Sequence, residues 1–157
     1  MLAEKCKVAV FVSGGGTNLQ AILDSRGEII KNAEICLVAS NNKDAYALER
    51  AKKHDIETFI IEDEQRLVKK LKSLEIDFIV LAGYLRILSE DFCKLYSNRM
   101  INVHPSLIPS FCGKGFYGLK VHEKALEYGV KVSGATVHFV NEIPDGGKII
   151  DQKAVRV

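Results

Sequence analysis

Short apolar segments alternate with helix-like segments along most of this chain, and that alternation constrains the fold more than any other feature. The apolar segments are rich in Val, Ile and Phe and have the length of buried strands: Val8–Val12, Ile35–Ser40, Thr58–Ile61, Phe78–Ala82 and Ile101–Val103. The segments with helical spacing lie between them: Leu19–Asp24, Ala45–His54 and Gln65–Leu74. The alternation predicts an α/β fold, in which an open, doubly wound, mostly parallel sheet carries helices on both faces.

Towards its C-terminus the chain becomes richer in strand-like segments. A helix over Val121–Tyr128 is predicted to end at Gly129, a favourable C-cap. The strand-like segments Lys131–Val140 and Ile149–Val157 follow, separated by a Pro-Asp-Gly-Gly turn. We therefore expect mixed strand directions at this end of the sheet. Earlier in the chain, Asp44 is the predicted N-cap of the second helix.

Length and charge exclude several classes of function. A chain of 157 residues can bury a core large enough for one domain. Its 22 basic and 20 acidic residues are intermixed and give a net charge of +2, without the basic stripe typical of a nucleic-acid partner. No apolar run reaches the length of a membrane span, and the N-terminal stretch MLAEKCK lacks a signal-peptide pattern. We therefore expect a cytoplasmic monomer or homodimer with no nucleic-acid or membrane partner.

The four cysteines argue against a metal site or a disulfide framework. Cys6, Cys36, Cys93 and Cys112 form no CxxC pair, so a zinc site is not expected. For a chain of this length in the expected compartment, reduced cysteines that pack as small apolar side chains are the better interpretation.

The first predicted strand ends at the loop SGGGTN, residues 13–18, and a predicted helix follows at once. Bare glycine backbone lets several amide N–H groups converge beside the positive end of a helix, which suits a phosphate. Thr17 and Asn18 add side-chain donors. The loop lacks the Lys-Ser/Thr pair of a Walker motif and has Leu19 where a dinucleotide-binding loop needs glycine, so a small phosphomonoester is favoured. The alternative is a tight turn without a ligand, although one glycine usually suffices for such a turn.

Two polar side chains occur close together at the end of a later strand. Asn102 and His104 lie two residues apart, on one face of that strand, and Pro105 favours an extended backbone at His104. An amide beside an imidazole can stabilise an oxyanion and move a proton. Asp145, in a turn with two glycines, is the candidate carboxylate partner of the imidazole. The alternatives are a buried histidine bonded to local backbone and a turn aspartate that faces solvent.

The remaining histidines are weaker candidates for catalysis. His54 lies at a predicted helix end, and His122 opens a predicted helix. His138 lies in a strand-like segment and can face either the site or solvent. None of the three is predicted to be catalytic.

Several segments together resemble a known enzyme family. They are SGGGTNLQAI, SNNKDAYALERA, VLAGYLRIL, INVHPSLIPSF and VSGATVHFVNEIPDGG. Over nearly its whole length, and with these segments in the family's order, the chain resembles the folate-dependent phosphoribosylglycinamide formyltransferases. That family has a Rossmann-like formyltransferase fold and acts in de novo purine (IMP) biosynthesis. The resemblance implies transfer of a formyl group from the co-substrate 10-formyltetrahydrofolate to the amine of 5-phosphoribosylglycinamide, without a metal.

The resemblance also implies roles for particular residues. Asn102, His104 and Asp145 match the catalytic triad of the wider superfamily. Asn102 and a protonated His104 would bind the oxyanion, while Asp145 would keep His104 protonated and help relay a proton through water. Asn102 and Asp145 would also contact the folate. The other residues implied are Gly16, Thr17 and Asn18 for the phosphate, and Arg86, Ile87, Leu88, Val140, Asn141 and Glu142 for the folate. For Ile87 and Leu88 the alternative is ordinary core packing.

Three more segments are interpreted through the same resemblance. Residues 111–118 match a mobile loop beside the site and, being rich in glycine, are predicted to act as a lid. Residues 60–66 are shorter than in the family, and Arg66 is a candidate for a basic residue that approaches the ligands. Residues 1–157 are expected to form a single formyltransferase domain that lacks the family's usual C-terminal helical segment. We therefore expect folate binding with a weakened affinity for the ribonucleotide.

Two other functions use the same Asn-x-His and Asp residues. Formyltetrahydrofolate hydrolase is the nearest enzymatic alternative, although it normally carries an N-terminal regulatory domain. Methionyl-tRNA formyltransferase has an additional RNA-binding domain for which this chain has no room. A truncated, non-catalytic module that binds folate or a sugar phosphate is the alternative from a different class.

Overall fold

The computed structural model of this chain describes residues 4–157, so the first three residues of the stretch MLAEKCK lie outside the described part. The chain divides into two units, Met1–Arg86 and Ile87–Val157. Among the described residues, no helix has the length and apolar content needed to cross a membrane. In the same range, no disulfide joins any of the cysteines.

The N-terminal unit is a parallel sheet with its connecting helices. Its strands lie in the order β3-β2-β1-β4, and every pair is parallel. The strands are β1 (Cys6–Val12), β2 (Ala33–Ser40), β3 (Glu57–Ile60) and β4 (Phe78–Leu81). The helices are α1 (Thr17–Asp24), α2 (Tyr46–Lys53) and α3 (Glu64–Ser73). The sequence predicted each of these elements to within a few residues at its ends.

The core of this unit lies on both faces of β1. Val10 and Phe11 point to opposite faces of the strand, and each is 0% exposed. On one face, Val8, Val10 and Val12 belong to an apolar cluster with residues of α1 and α2. A continuous apolar run is therefore required in β1, because a strand buried on both faces has no solvent-facing position for a polar residue.

The C-terminal unit is built on antiparallel pairs. Strand β6 pairs antiparallel with β5 on one side and with β7 on the other. The strands are β5 (Met100–His104), β6 (Val132–Phe139) and β7 (Ile149–Arg156), and the helices are α4 (Glu90–Leu95) and α5 (Leu119–Tyr128). Gly129 has φ of 82° and forms the left-handed C-cap of α5, as predicted. The expectation of mixed strand directions towards the C-terminus is confirmed.

Two local predictions were wrong or incomplete. Asp44 is not the N-cap of α2: Ala45 occupies that position without a side-chain cap, and the Asp44 N–H donates to Asn42 Oδ1 at 3.0 Å. The Asn42 side chain thus organises the turn before the helix, a local bond that competes with capping by Asp44. Helix α4 was missed because it is short, although Ser89 caps it by accepting from Phe92 N at 3.1 Å.

Candidate active site

The glycine loop after β1 is held in place by helix α2. The Ala47 N–H donates to the Gly14 carbonyl at 3.0 Å, and Arg50 Nε donates to the Gly15 carbonyl at 2.8 Å. The Gly16 carbonyl accepts the first bond of α1, from Gln20 N at 2.9 Å. Each glycine carbonyl of the loop therefore has a partner on the protein side.

Only one of the three glycines is required by the fold itself. Gly16 has φ of 77°, and a Cβ built there would lie 2.6 Å from Ala47 Cβ. At Gly14 and Gly15 a Cβ would meet nothing within 4 Å, and neither has a positive φ. Since packing does not require these two glycines, their missing side chains leave backbone accessible to something outside the chain.

The amide groups of the loop are available to a ligand. Within residues 4–157, the backbone N–H groups of residues 15–18 donate no hydrogen bond. Thr17 and Asn18 are exposed, and the N-cap residue of α1 offers no side-chain acceptor. Consecutive unpaired N–H groups at a helix N-terminus form a concavity suited to an anion. The predicted phosphate residues Gly16, Thr17 and Asn18 all belong to this concavity.

A second polar cluster lies in the C-terminal unit and contains one histidine that the sequence analysis did not select. In the β5–β6 register, Asn102 faces His138 and His104 faces Thr136. Directly opposed residues of an antiparallel pair point to the same face, and so do residues two apart on one strand. Asn102, His104 and His138 therefore share one face. The strand pattern alone could not reveal this, because it requires the register between β5 and β6.

The turn after β6 brings a carboxylate between the two histidines. Asp145 Oδ2 lies 3.5 Å from His104 Nδ1, and Asp145 Oδ1 lies 3.5 Å from His138 Nε2. Asn102 Nδ2 lies 3.2 Å from the same His138 nitrogen. His104 is 4% exposed and His138 is 2% exposed, so both imidazoles interact with Asp145 largely out of water.

Backbone carbonyls fix the tautomers of both histidines. His104 Nε2 lies 2.8 Å from the Phe111 carbonyl, and His138 Nδ1 lies 2.8 Å from the Phe139 carbonyl. A carbonyl oxygen only accepts, so each of these nitrogens carries its proton. The other nitrogen of each ring faces the Asp145 carboxylate, where protonation creates an ion pair.

The Asp145 carboxylate is stabilised in its charged form. Burial by itself raises the pKa of Asp145, but the opposing contributions outweigh burial and lower the pKa overall: the hydrogen bond with His138, the Gly113 N–H and the charges of the two histidines. The Gly113 N–H donates to Oδ2 at 2.9 Å. For His138, burial lowers the pKa, but the Asp145 hydrogen bond, the Phe139 carbonyl and the Asp145 charge raise it overall.

These opposite shifts predict a pH window for stability. The folded-state pKa of His138 is raised above its ordinary 6.5, so its stabilisation is complete below about 6.5 and is lost as pH rises through that folded value. The folded-state pKa of Asp145 is lowered below its ordinary 3.8, so its contribution is lost as pH falls through the folded value. The free energy of unfolding of the wild type should therefore exceed that of His138→Gln by the largest amount between about pH 4 and 6.5. Urea unfolding of both proteins from pH 3 to 9 measures the difference, and a difference that grew above pH 7 would contradict it.

The residues assigned to folate by resemblance differ in exposure. Ile87 is 74% exposed, whereas Leu88 is 8% exposed, so core packing fits Leu88 and not Ile87. Arg86 is exposed at the end of the N-terminal unit. The remaining three follow β6 directly: Val140, Asn141 and Glu142. The Val140 N–H donates to the Met100 carbonyl at 2.9 Å, which extends the β5–β6 pairing up to these residues.

The predicted lid segment contacts the polar cluster through its backbone. Phe111 has φ of 49°, and its carbonyl is the partner of His104, while Gly113 binds Asp145. Gly113, Gly115 and Gly118 all have positive φ, so the segment depends on glycine for its path. Arg66, the candidate basic residue near the ligands, pairs with Glu62, which precedes it by four residues.

Comparison with known proteins identifies the family. The profile of the formyl transferase family matches residues 6–157. A chloroplastic phosphoribosylglycinamide formyltransferase of Arabidopsis thaliana is 40% identical over 96% of this chain, which spans 55% of that protein, about half of its length. The phosphoribosylglycinamide formyltransferase of Haemophilus influenzae is 41% identical, with 96% of this chain and 73% of that protein covered.

A solved structure agrees with both the sequence and the fold. The crystal structure of phosphoribosylglycinamide formyltransferase from Anaplasma phagocytophilum superposes with a TM-score of 0.90 at 36% identity. The match covers 98% of this chain and 73% of that chain. The predicted α/β fold class and the predicted family are thereby confirmed. On these matches, the chain belongs to the formyl transferase family.

Proposed function

We propose that this chain transfers the formyl group of 10-formyltetrahydrofolate to the amine of 5-phosphoribosylglycinamide, a step of de novo purine biosynthesis. The observation that carries the proposal is the cluster in which Asp145 lies 3.5 Å from both His104 and His138, with Asn102 beside them. The glycine loop supports a phosphorylated acceptor. Relatives that carry the name phosphoribosylglycinamide formyltransferase support this acceptor in particular.

The reaction is an acyl transfer between two nitrogens. The substrate amine attacks the formyl carbon, a C–N bond forms, and the formyl oxygen becomes an oxyanion. Collapse of this tetrahedral intermediate breaks the bond to N10 of the folate. The proton lost by the amine ends on N10, so no other reactant is needed. Catalysis therefore requires a hydrogen-bond donor for the oxyanion and a group that moves the proton.

The polar cluster supplies both requirements. Asn102 Nδ2 and the Nε2–H of His104 are donors for the oxyanion, and Asp145 holds the imidazolium by charge and helps transfer the proton. The Nε2–H of His104 bonds the Phe111 carbonyl at 2.8 Å, so residues 111–118 must move for this N–H to reach the substrate. That movement is the function we propose for the predicted lid.

His138 acts in this scheme through its neighbours. Its Nε2 accepts from Asn102 when the ring is neutral and donates to Asp145 when the ring is protonated. It therefore positions the amide and the carboxylate between which it lies, and we assign it a positioning role.

The two substrates are assigned to separate groups of residues. The phosphate of the ribonucleotide is bound by Gly16, Thr17 and Asn18. The folate co-substrate is bound by Asn102, Asp145 and the residues that the resemblance implies: Arg86, Ile87, Leu88, Val140, Asn141 and Glu142. Ile87 is largely exposed. Burial of this large apolar side chain against the ring system of a bound folate would be favourable, which supports its assignment to the folate. The single domain, the cytoplasmic location and the monomeric or homodimeric state stay predictions.

The proposed function is tested by a spectrophotometric transfer assay with this chain. With a 10-formyl folate analogue, formyl release should require phosphoribosylglycinamide, and His104→Asn should lower kcat roughly 100-fold or more. Formyl release at the same rate without the ribonucleotide would identify a hydrolase instead. Binding of both ligands without any turnover would identify a non-catalytic module.

A further inference from the structure

One charged side chain in the N-terminal unit is bonded to the glycine loop, and neither the sequence pattern nor the proposed mechanism assigns it a task. Arg50, on α2, is partly buried. Its Nε donates to the Gly15 carbonyl at 2.8 Å, and its Nη1 donates to Gln20 Oε1 on α1 at 3.1 Å. Its guanidinium carbon lies 5.0 Å from the centre of the Tyr46 ring. Three contacts therefore hold one guanidinium between the loop and the two helices that flank it.

The bond to Gly15 orients an amide group of the loop. In a trans peptide the C=O and the following N–H point in opposite directions from one plane. Arg50 holds the Gly15 carbonyl towards α2, so the Gly16 N–H must point away from α2. The Ala47 N–H holds the Gly14 carbonyl at 3.0 Å and directs the Gly15 N–H in the same way. Helix α2 thus aims two successive N–H groups, which donate no bond within residues 4–157.

Arg50 also gives the loop its only directly bonded positive charge among the described side chains. The six loop residues SGGGTN contain no charged residue. A guanidinium is planar and presents several donors in a fixed arrangement, so it can hold the loop carbonyl and the Gln20 amide together. A lysine ammonium at the same position keeps the charge without that geometry.

We propose that Arg50 is a positioning residue of the phosphate site, which orients the Gly15–Gly16 peptide so that its N–H binds the phosphate of the acceptor. This inference rests on the proposed function in one respect only, which is that the acceptor is a sugar phosphate. Arg50 does not contact the phosphate itself in this proposal; it acts by holding the Gly15 carbonyl and so orienting the Gly16 N–H.

The test uses the full chain and ribose 5-phosphate as the probe, so that it does not depend on formyl transfer. Titration followed by ¹H–¹⁵N NMR should shift the Gly15 and Gly16 amide signals of the wild type. In Arg50→Met those shifts should disappear, and Kd should rise roughly 10-fold or more, the size expected for loss of a charge-assisted hydrogen bond. For Arg50→Lys, the increase in log Kd should be more than half of the increase in Arg50→Met, because lysine keeps the charge without the geometry of the guanidinium.

Lys53→Met is the matched control. Lys53 is on the same helix and beside the same Tyr46 ring, at 5.7 Å from its centre, and it has no bond to the loop among the described residues. This variant removes an equal charge and should leave Kd within about twofold, since an exposed charge contributes little. Folate binding and the thermal midpoint are measured for every variant, to separate loop orientation from damage to the fold.

Any of four results with ribose 5-phosphate would overturn the inference, and a fifth concerns folate. The four are no measurable binding of ribose 5-phosphate by the wild type, an unchanged Kd in Arg50→Met, full recovery in Arg50→Lys, and a parallel loss in Lys53→Met. A folate Kd that rises as much as the sugar-phosphate Kd would also overturn it, by showing general damage. Failure of the proposed function has a different signature: the amide shifts depend on Arg50, yet the wild type transfers no formyl group to the ribonucleotide.

Discussion

Replacing Asp145 by Asn should lower kcat of the formyl transfer by roughly 10² to 10⁴, with a much smaller change in KM for the ribonucleotide. The amide keeps the size of the carboxylate and removes its charge. His104 and His138, each 3.5 Å from Asp145, then lose the nearby anion in a buried site. The oxyanion would lose its charged donor, and the proton would lose its acceptor.

The measurement is steady-state kinetics of Asp145→Asn with both substrates varied, together with its thermal midpoint. Asp151→Asn is the matched control, because Asp151 is exposed on β7 and, among residues 4–157, its carboxylate bonds only the neighbouring Gln152 N–H, at 2.9 Å. This control should keep kcat within about twofold, since surface substitutions of this kind change little. Retention of more than a third of the wild-type kcat in folded Asp145→Asn would rule out the role assigned to Asp145.

Replacing Gly16 by Ala should produce the largest combined loss of stability and ribonucleotide binding. The new Cβ would lie 2.6 Å from Ala47 Cβ and 2.8 Å from Ala47 Cα, at a residue whose φ is 77°. Left-handed backbone and a forced methyl in a packed contact together cost about 2 to 4 kcal/mol of unfolding free energy. Relief of the clash moves the loop away from α2, which misaligns the N–H groups that we assign to the phosphate.

Gly15→Ala separates the two parts of that effect. A Cβ at residue 15 meets nothing within 4 Å and needs no unusual backbone, so the unfolding free energy should change by less than about 1 kcal/mol. Ribonucleotide affinity should nevertheless fall, because the methyl enters open space beside the loop that we assign to the phosphate. Urea unfolding and calorimetric titration of both variants measure these quantities. Equal destabilisation by the two substitutions would contradict the packing argument, and unchanged affinity in both would contradict the phosphate site.

The N-terminal unit shows why the fold could be predicted from the sequence. Strands such as Val8–Val12 are apolar along their whole length because both faces are buried, and helix α3 repeats its core residues Leu67 and Leu71 at one-turn spacing. These patterns are local, so the sequence carries them directly. Predictions failed where local bonds compete: Asn42 organised the turn before α2, and Asp44 did not cap the helix.

The glycine loop, residues 13–18, could be predicted only in part from the sequence. The glycine run, the strand before it and the helix after it are visible in the sequence, and they indicate an anion site. The distinction among the glycines is not visible there. Only the packing of α2 shows that Gly16 is required by Ala47, that Gly14 and Gly15 are not required by packing, and that Arg50 holds the loop.

The polar cluster of Asn102, His104, His138 and Asp145 was the part of the molecule that the sequence predicted least completely. By itself the sequence determined that Asn102 and His104 share one strand face, because side chains alternate with a period of two. It also supplied Asp145 in a turn with two glycines, and through the family resemblance it implied the chemistry. The β5–β6 register places His138 opposite Asn102 and so brings it into the cluster. The path of the turn after β6 places Asp145 beside His104 and His138. The β5–β6 pairs and the contact between His104 and Asp145 join residues more than 30 positions apart. A periodic local pattern contains no information about which distant strand it will pair with.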